Sequence, residues 1–365
     1  MTRTVHLIGA ARPNFMKIAP LHRALSAEKW VKPLIIHTGQ HYDHNMSEEF
    51  FMDLDLPKPD VHLGVGSATH AVQTGMVMIE YERLLMKDSP DLVIVVGDVN
   101  STMACTLAAV KLGIRVAHLE AGLRSFDRSM PEEINRIVTD SLADVLWTPS
   151  PDANRNLKNE GIASEKVHLV GNIMIDSLVM MKEKIERDET YAGLKWSSGE
   201  YGVVTLHRPS TVDDPARLRT VCETLCRLSQ GLPIVFPVHP RTRKRLWEYG
   251  LASLLEGAPS IELLDPLGYI SFMSLVHRCR MVITDSGGLQ EETTYLGIPC
   301  LTLRPNTERP VTITQGTNRL CDLGTLEDEV RTSLNANRMK RSPPEGWDGH
   351  TAERITTFLR SYLNR

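Results

Sequence analysis

Short apolar runs alternate with amphipathic stretches along the whole chain, and this alternation limits the possible folds more than any other feature. "TVHLIGA", "KPLIIHTG", "DLVIVVGD" and "IRVAHLE" fall in the first half, and "YGVVTLH", "LPIVFPVH", "SIELLDP", "MVITDSG" and "PCLTL" in the second. Strand-like runs separated by helical segments are the pattern of a parallel sheet covered by helices on both faces. Its recurrence predicts an α/β chain of two doubly wound domains facing one cleft. The length of 365 residues points the same way, since single cores stop growing at roughly 250–300 residues. The expected division lies at Gly171–Asn172, with one domain over 1–171 and the other over 172–349. "KVHLVGN" is read as the last strand of the first half, followed by a charged helix, "SLVMMKEKIERDET", and a loop, "YAGLKWSSGE". The tail 350–365 contains "TAERITTFLRSYL", whose helical spacing suits a helix packed back on the first domain.

A formal net charge of −4 argues against a nucleic-acid partner held by a wholly basic surface, but it leaves room for a local basic site for a small anion. Of the six cysteines only Cys222 and Cys226 are close, and their i,i+4 spacing suits one helix face rather than a zinc site. They are read as reduced thiols of a cytoplasmic protein. The apolar run in "MTRTVHLIGAARPNF" is too short for a signal peptide. No stretch approaches the ~18 apolar residues of a membrane span.

The chemistry concentrates where strands end. "DLVIVVGDVNSTMACTLAAVKLGIRVAHLEAG" reads as one βαβ unit, with Asp98 and Glu120 ending its two strands and Ser101 or Thr102 capping its helix. Ligands of open parallel sheets bind outside the carboxyl ends of the strands. Both acids would therefore face that crevice, and two close carboxylates suit acid/base work near neutrality. The competing reading is that Asp98 caps a helix and Glu120 pairs with an arginine. In "MPEEINRIVTD", Pro131 opens a helix, Glu132 and Arg136 share a face at i,i+4, and Glu133 points elsewhere. "MVITDSGGLQEETTYLG" ends a strand at Asp285 and opens a helix with Ser286, Gly287 and Gly288. Glycines and free helix N–H groups suit a phosphate there, and Glu291 or Glu292 suits ribose hydroxyls. The fingerprint G-x-G-x-x-G is absent, so no nicotinamide cofactor is expected. Arg12 and Lys17 suit a diphosphate, His207 and Arg208 end a strand, and Arg309 lies on a loop. Together they predict a cationic cleft in an acidic protein.

In chain order, "ARPNFMKIAPL", "TGQHYDHNMS", "GDVNSTMA", "HLEAGLRS", "MPEEINR", "GNIMID", "TLHRPS", "TDSGGLQEE" and "TERPVT" resemble the non-hydrolysing UDP-N-acetylglucosamine 2-epimerase family over nearly the whole chain. The resemblance implies a glycosyltransferase-B type fold, two Rossmann-like domains with the active site in the interdomain cleft, and a homodimer. By position it makes Asp98, Glu120 and Glu132 the catalytic acids, supported by Arg136 and His207. It assigns UDP to Arg12, Lys17, Ser286, Gly287, Gly288, Glu292 and Arg309, with Phe272 lining the uridine pocket. The implied isomerase interconverts UDP-N-acetylglucosamine and UDP-N-acetylmannosamine for polysaccharide synthesis. It eliminates and re-adds UDP through a 2-acetamidoglucal, with no metal and no redox cofactor. Which acid is base and which is proton donor stays open. Three features depart from the family's common pattern: Ala10 stands for a glycine, Ser210 for a glutamate, and Tyr42-Asp43 follow Gln40-His41 where an arginine is common. The last two resemble the branch acting on UDP-2,3-diacetamido-2,3-dideoxyglucuronate, the nearest alternative. A hydrolysing epimerase and a glycosyltransferase of the same fold are the others. Loss of that arginine also implies that no second UDP-N-acetylglucosamine is needed as activator.

Overall fold

The structure is a computed structural model that describes residues 2–39, 51–335 and 342–364. It has two compact units, Met1–Met180 with Glu345–Arg365, and Met181–Pro344.

The first unit contains β1 (Arg3–Gly9), β2 (Val31–His37), β3 (Val61–His62), β4 (Leu92–Val96), β5 (Val116–Leu119), β6 (Val145–Thr148) and β7 (Val167–Leu169). They form one parallel sheet in the order β3-β2-β1-β4-β5-β6-β7. Every residue of β4, "LVIVV", is buried, as expected of a central strand covered on both faces. The strand order reverses between β1 and β4. Val96 pairs with Leu119, so the chain leaves β4 and β5 side by side. The helix His70–Leu85 packs on Asn100–Lys111, which packs on Pro131–Leu142.

The chain returns to this unit at its end, where the helix Thr351–Tyr362 packs on Arg12–Ser26. Trp347 is buried and donates its indole N–H to the Pro149 carbonyl at 3.0 Å. Asp176 accepts the Ala352 amide at 2.7 Å and so holds the start of the last helix. Gly171, at φ +95°, lets the returning backbone come close: a Cβ there would lie 2.0 Å from the Gly346 oxygen.

The second unit contains β8 (Gly202–Thr205), β9 (Ile234–Pro237), β10 (Ile261–Leu264), β11 (Met281–Thr284), β12 (Cys300–Thr302) and β13 (Asn318–Leu320), parallel in the order β10-β9-β8-β11-β12-β13. Its core joins Val204, Ile234, Phe236, Ile283 and Leu301 to the apolar face of the helix Pro215–Leu228. Both units are doubly wound, the pair of Rossmann-like units of a glycosyltransferase-B type fold. Here the strand order reverses between β8 and β11.

Three strands were not legible in sequence. β3 spans two residues, β13 three, and β6 only "VLWT". Pairing with neighbouring strands is what defines them. Neither Ser101 nor Thr102 caps its helix, because Val99 is the N-cap. The Thr102 hydroxyl donates to the Val96 carbonyl at 2.9 Å, and Ser101 meets Thr38 at 2.8 Å. Among the described residues no helix is long and apolar enough to cross a membrane.

The C-terminal return makes a direct prediction. Trp347→Ala should cost about 3–5 kcal/mol, as for other buried aromatic truncations, measured by urea unfolding. A loss below about 1 kcal/mol, the size of an ordinary substitution, would show that the return does not depend on this anchor.

Candidate active site

In the first unit the turns after β1, β4 and β5 carry the predicted groups. Asn14 ties two of these turns together. Its side-chain oxygen accepts the Ala11 amide at 3.0 Å, and its amide donates to the Val96 carbonyl at 2.9 Å. Arg12, at the first position of the helix, is exposed, whereas Lys17 one turn later is buried and ion-paired with Glu120. Gly97, at φ +68°, makes room for that lysine, since a Cβ there would stand 3.3 Å from Nζ. Glu120 is 7% exposed and adopts φ +75°, a left-handed conformation costly for a residue with a Cβ. Its strain is held by the Trp147 carbonyl, which accepts the amides of both Glu120 and Ala121.

Asp98 is partly exposed and ion-paired with the buried Arg136. The strands bearing the two acids are neighbours, as the βαβ reading required, but the acids are not left to repel each other. Each has its own cation, and Glu120 is held by a lysine rather than an arginine. Neither acid caps a helix.

The helix Pro131–Leu142 corrects one expectation. Glu133, not Glu132, is the inward acid that holds Arg136, at 2.7 Å, and Glu132 faces solvent. Glu133 also accepts the Ser125 amide at 2.9 Å, its hydroxyl at 3.0 Å and the Phe126 amide at 2.9 Å. Burial pushes its carboxyl up, but these bonds and Arg136 outweigh burial and hold it below the usual range. An i,i+3 pair was as available in the sequence as an i,i+4 pair, and only the direction of the core decides between them.

In the second unit Asp285 is the hub that sequence reasoning used only as a strand end. Wholly buried, it accepts the amides of His207 at 3.0 Å and Arg208 at 2.9 Å, and it meets the His207 ring nitrogen Nδ1 at 3.0 Å. Burial pushes its carboxyl up, and the His207 ring and the two amides hold it below its ordinary value. β8 and β11 are paired neighbours, which brings the "TLHRPS" and "TDSGG" blocks together. Ser286 follows, its amide bonded to the Thr284 hydroxyl at 2.9 Å. A Cβ on Gly287 would meet Glu308 at 2.9 Å and Arg309 at 3.1 Å, whereas Gly288 faces open space. Arg309 is not a cation on an open loop. It is 8% exposed, 2.9 Å from Glu291 and 2.5 Å from Glu308, and Arg304 holds the other oxygen of Glu308 at 2.9 Å. Glu292 accepts the Tyr269 hydroxyl at 2.8 Å, and the half-buried Phe272 lies one turn beyond Tyr269 on the same helix.

The predicted residues thus form two sets. Arg12, Lys17, Asp98, Glu120, Glu132 and Arg136 belong to the first unit, and His207, Phe272, Ser286, Gly287, Gly288, Glu292 and Arg309 to the second. Gln40, His41, Tyr42 and Asp43 lie outside the described residues.

The UDP-N-acetylglucosamine 2-epimerase family model matches residues 23–360. A UDP-N-acetylglucosamine 2-epimerase of Methanococcus maripaludis is 41% identical over 362 residues, covering 97% of this chain and 98% of that protein. A UDP-2,3-diacetamido-2,3-dideoxy-D-glucuronate 2-epimerase of Pseudomonas aeruginosa is 40% identical over 359 residues, covering 97% and 98%. The crystal structure of Methanocaldococcus jannaschii UDP-GlcNAc 2-epimerase in complex with UDP-GlcNAc and UDP superposes with a TM-score of 0.89 at 41% identity, covering 98% of this chain and 99% of that one.

Glu292 supplies a pH test. Burial pushes its carboxyl up to about 7; the Tyr269 hydrogen bond opposes this and the neighbouring Glu291 adds to it. The folded state therefore binds this proton more tightly than the unfolded chain. The resulting stability is fully present below the ordinary carboxylate range and is lost as pH rises through about 7. Glu292→Gln should then be more stable than the parent at pH 8, by roughly 2–3 kcal/mol, with the gain gone at pH 4. An equal effect at both pH values in thermal unfolding would rule out this linkage.

Proposed function

The chain belongs to the UDP-N-acetylglucosamine 2-epimerase family, and on that premise we propose that it interconverts UDP-N-acetylglucosamine and UDP-N-acetylmannosamine without net hydrolysis. It is an isomerase, a UDP-sugar 2-epimerase. The observation that supports this chemistry best is the placement of Asp98 and Glu120 on adjacent turns at the ends of paired strands, each beside a cation.

The proton on carbon 2 of the sugar is weakly acidic. A carboxylate removes it while the C1–O bond to UDP breaks, and the electron pair forms the C1–C2 double bond of a glycal. An acid then returns a proton to carbon 2 from the other face, and UDP adds back at carbon 1. Asp98, Glu120 and Glu132 carry the proton transfers. Arg136 orients Asp98, and Lys17, beside Glu120, also serves the diphosphate together with Arg12. On the second unit Ser286, Gly287 and Gly288 receive a phosphate at the helix start, where N–H groups point outward. Gly288 is the open approach, Arg309 braces Gly287, Glu292 takes the ribose hydroxyls, Phe272 packs on uracil and His207 assists at the diphosphate.

UDP-2,3-diacetamido-2,3-dideoxyglucuronate is the second reading, favoured by the Pseudomonas aeruginosa relative. NMR in deuterated water, with each sugar nucleotide in turn, separates the two by which one exchanges hydrogen at carbon 2. In the same assay Asp98→Asn, Glu120→Gln and Glu132→Gln should each slow exchange ~10²–10⁴-fold while UDP affinity is kept, the usual size of a lost acid or base. Near-normal turnover in any one removes that residue from the set.

The protein acts as a homodimer in the cytoplasm, serving polysaccharide synthesis. Val72, Met76 and Ile79 are 56%, 43% and 46% exposed and form one stripe along the helix His70–Leu85. An apolar stripe of this kind suits a second copy related by two-fold symmetry. Met76→Glu with Ile79→Glu should give a monomer mass by light scattering, and an unchanged dimer would move the interface elsewhere.

A further inference from the structure

The helix Pro131–Leu142 is packed with its polar face inward. The residues it buries are Glu133, Asn135, Arg136, Thr139 and Asp140, while Ile134 is 48% exposed. Buried polar groups cost stability unless they are paired, so their partners indicate what the helix does. Arg136 takes the Asp98 carboxylate. One turn further on the same face, Asp140 lies 2.6 Å from His118 Nδ1 through one oxygen. Its other oxygen accepts the Gly122 amide at 3.0 Å and the Arg124 guanidinium at 2.7 Å. His118, wholly buried in β5, donates from Nε2 to the Gly97 carbonyl at 2.8 Å. Gly97 immediately precedes Asp98, and Gly122 follows Glu120 by two residues.

We infer that His118 and Asp140 are positioning residues of the epimerase reaction, holding the turns that carry Asp98 and Glu120 in one fixed relation. The inference rests on Asp98 and Glu120 being proton-transfer groups. The two turns contain three left-handed residues, Gly97, Glu120 and Gly122, at φ +68°, +75° and +80°. Such turns keep their shape only when the surroundings over-determine them. The Gly97 amide is bonded to the Leu119 carbonyl at 3.1 Å, and His118 closes a second bond on the same residue. The imidazole thereby joins Asp140 to the Gly97 carbonyl, one partner on each ring nitrogen. Glu160 grips Arg124 through two 2.7 Å bonds, which steadies the far side of Asp140. One buried carboxylate thus reaches both acid-bearing turns, while Arg136, four residues earlier, reaches the acid itself.

Two amide replacements keep different halves of the imidazole. In His118→Gln the amide nitrogen stands where Nε2 was and still donates to Gly97. In His118→Asn it stands where Nδ1 was, reaching Asp140 but not Gly97. Full-length variants are assayed with UDP-N-acetylglucosamine in deuterated water beside Asp98→Asn and Glu120→Gln, with UDP affinity by calorimetry and Tm by thermal unfolding. His118→Asn should lose ~10–10²-fold in kcat, with KM and UDP affinity within about twofold, as for a misplaced catalytic group. His118→Gln should recover most of that kcat although both variants lose similar Tm. The proposal is overturned if folded His118→Asn keeps the parent kcat, or if His118→Gln is as slow as His118→Asn. If His118→Asn does not fold, Asp140→Asn decides: reduced kcat at unchanged UDP affinity supports the assignment, and parent kcat overturns it. Failure of all these variants to fold would make the pair purely structural and also overturn it. Parent kcat in Asp98→Asn and Glu120→Gln would instead overturn the proton-transfer reading itself.

Discussion

A buried carboxylate is costly unless it is paired or hydrogen-bonded, and around the strand ends of the first unit the partners are cations. Taking an ion out of water costs several kcal/mol even after relaxation. Glu120 is answered by Lys17, Glu133 by Arg136, which also takes Asp98, and Asp140 by Arg124. Residue 97 has no side chain to crowd the lysine beside its partner. Lys17 and Arg136 come from helices that start or pass beside the strand ends, and Arg124 from the loop after β5, so packing and charge pairing are one requirement. Of the cations expected to receive an anion, Lys17 and Arg309 are buried and already matched by acids.

The same architecture serves a different end in the second unit. Asp285 gathers the amides and the ring of the His207 turn, so a carboxylate here shapes backbone rather than standing ready for a proton. Two successive glycines divide the labour. A Cβ on Gly287 would crowd the Glu308 and Arg309 side chains, whereas the space above Gly288 stays open. Lys17 and Asp98 follow β1 and β4, and His207 and Ser286 follow β8 and β11, the strands between which the order reverses and where doubly wound sheets bind ligands.

The fold class was legible in the amino-acid sequence, and so was which polar residues stand just beyond the strand ends. Strands such as "DLVIVVGD" and "MVITDSG" were legible because burial on both faces demands unbroken apolar runs, and Asp98, Glu120 and Ser286–Gly288 followed as the residues just beyond them. The first residues of the helix at Pro131 were legible for the same local reason, since proline and acids suit a first turn. Partnership, by contrast, was set by the folded arrangement. Whether Glu132 or Glu133 turns inward, which base reaches Glu120, and that Asp285 holds His207 all depend on strand order and on where each helix lies. His118 and Asp140 are separated by 22 positions, and no local signal links them. Periodicity is a property of neighbouring residues along the chain, whereas a buried charge takes as its partner whatever the fold brings within about 3 Å, and that distance exists only after folding.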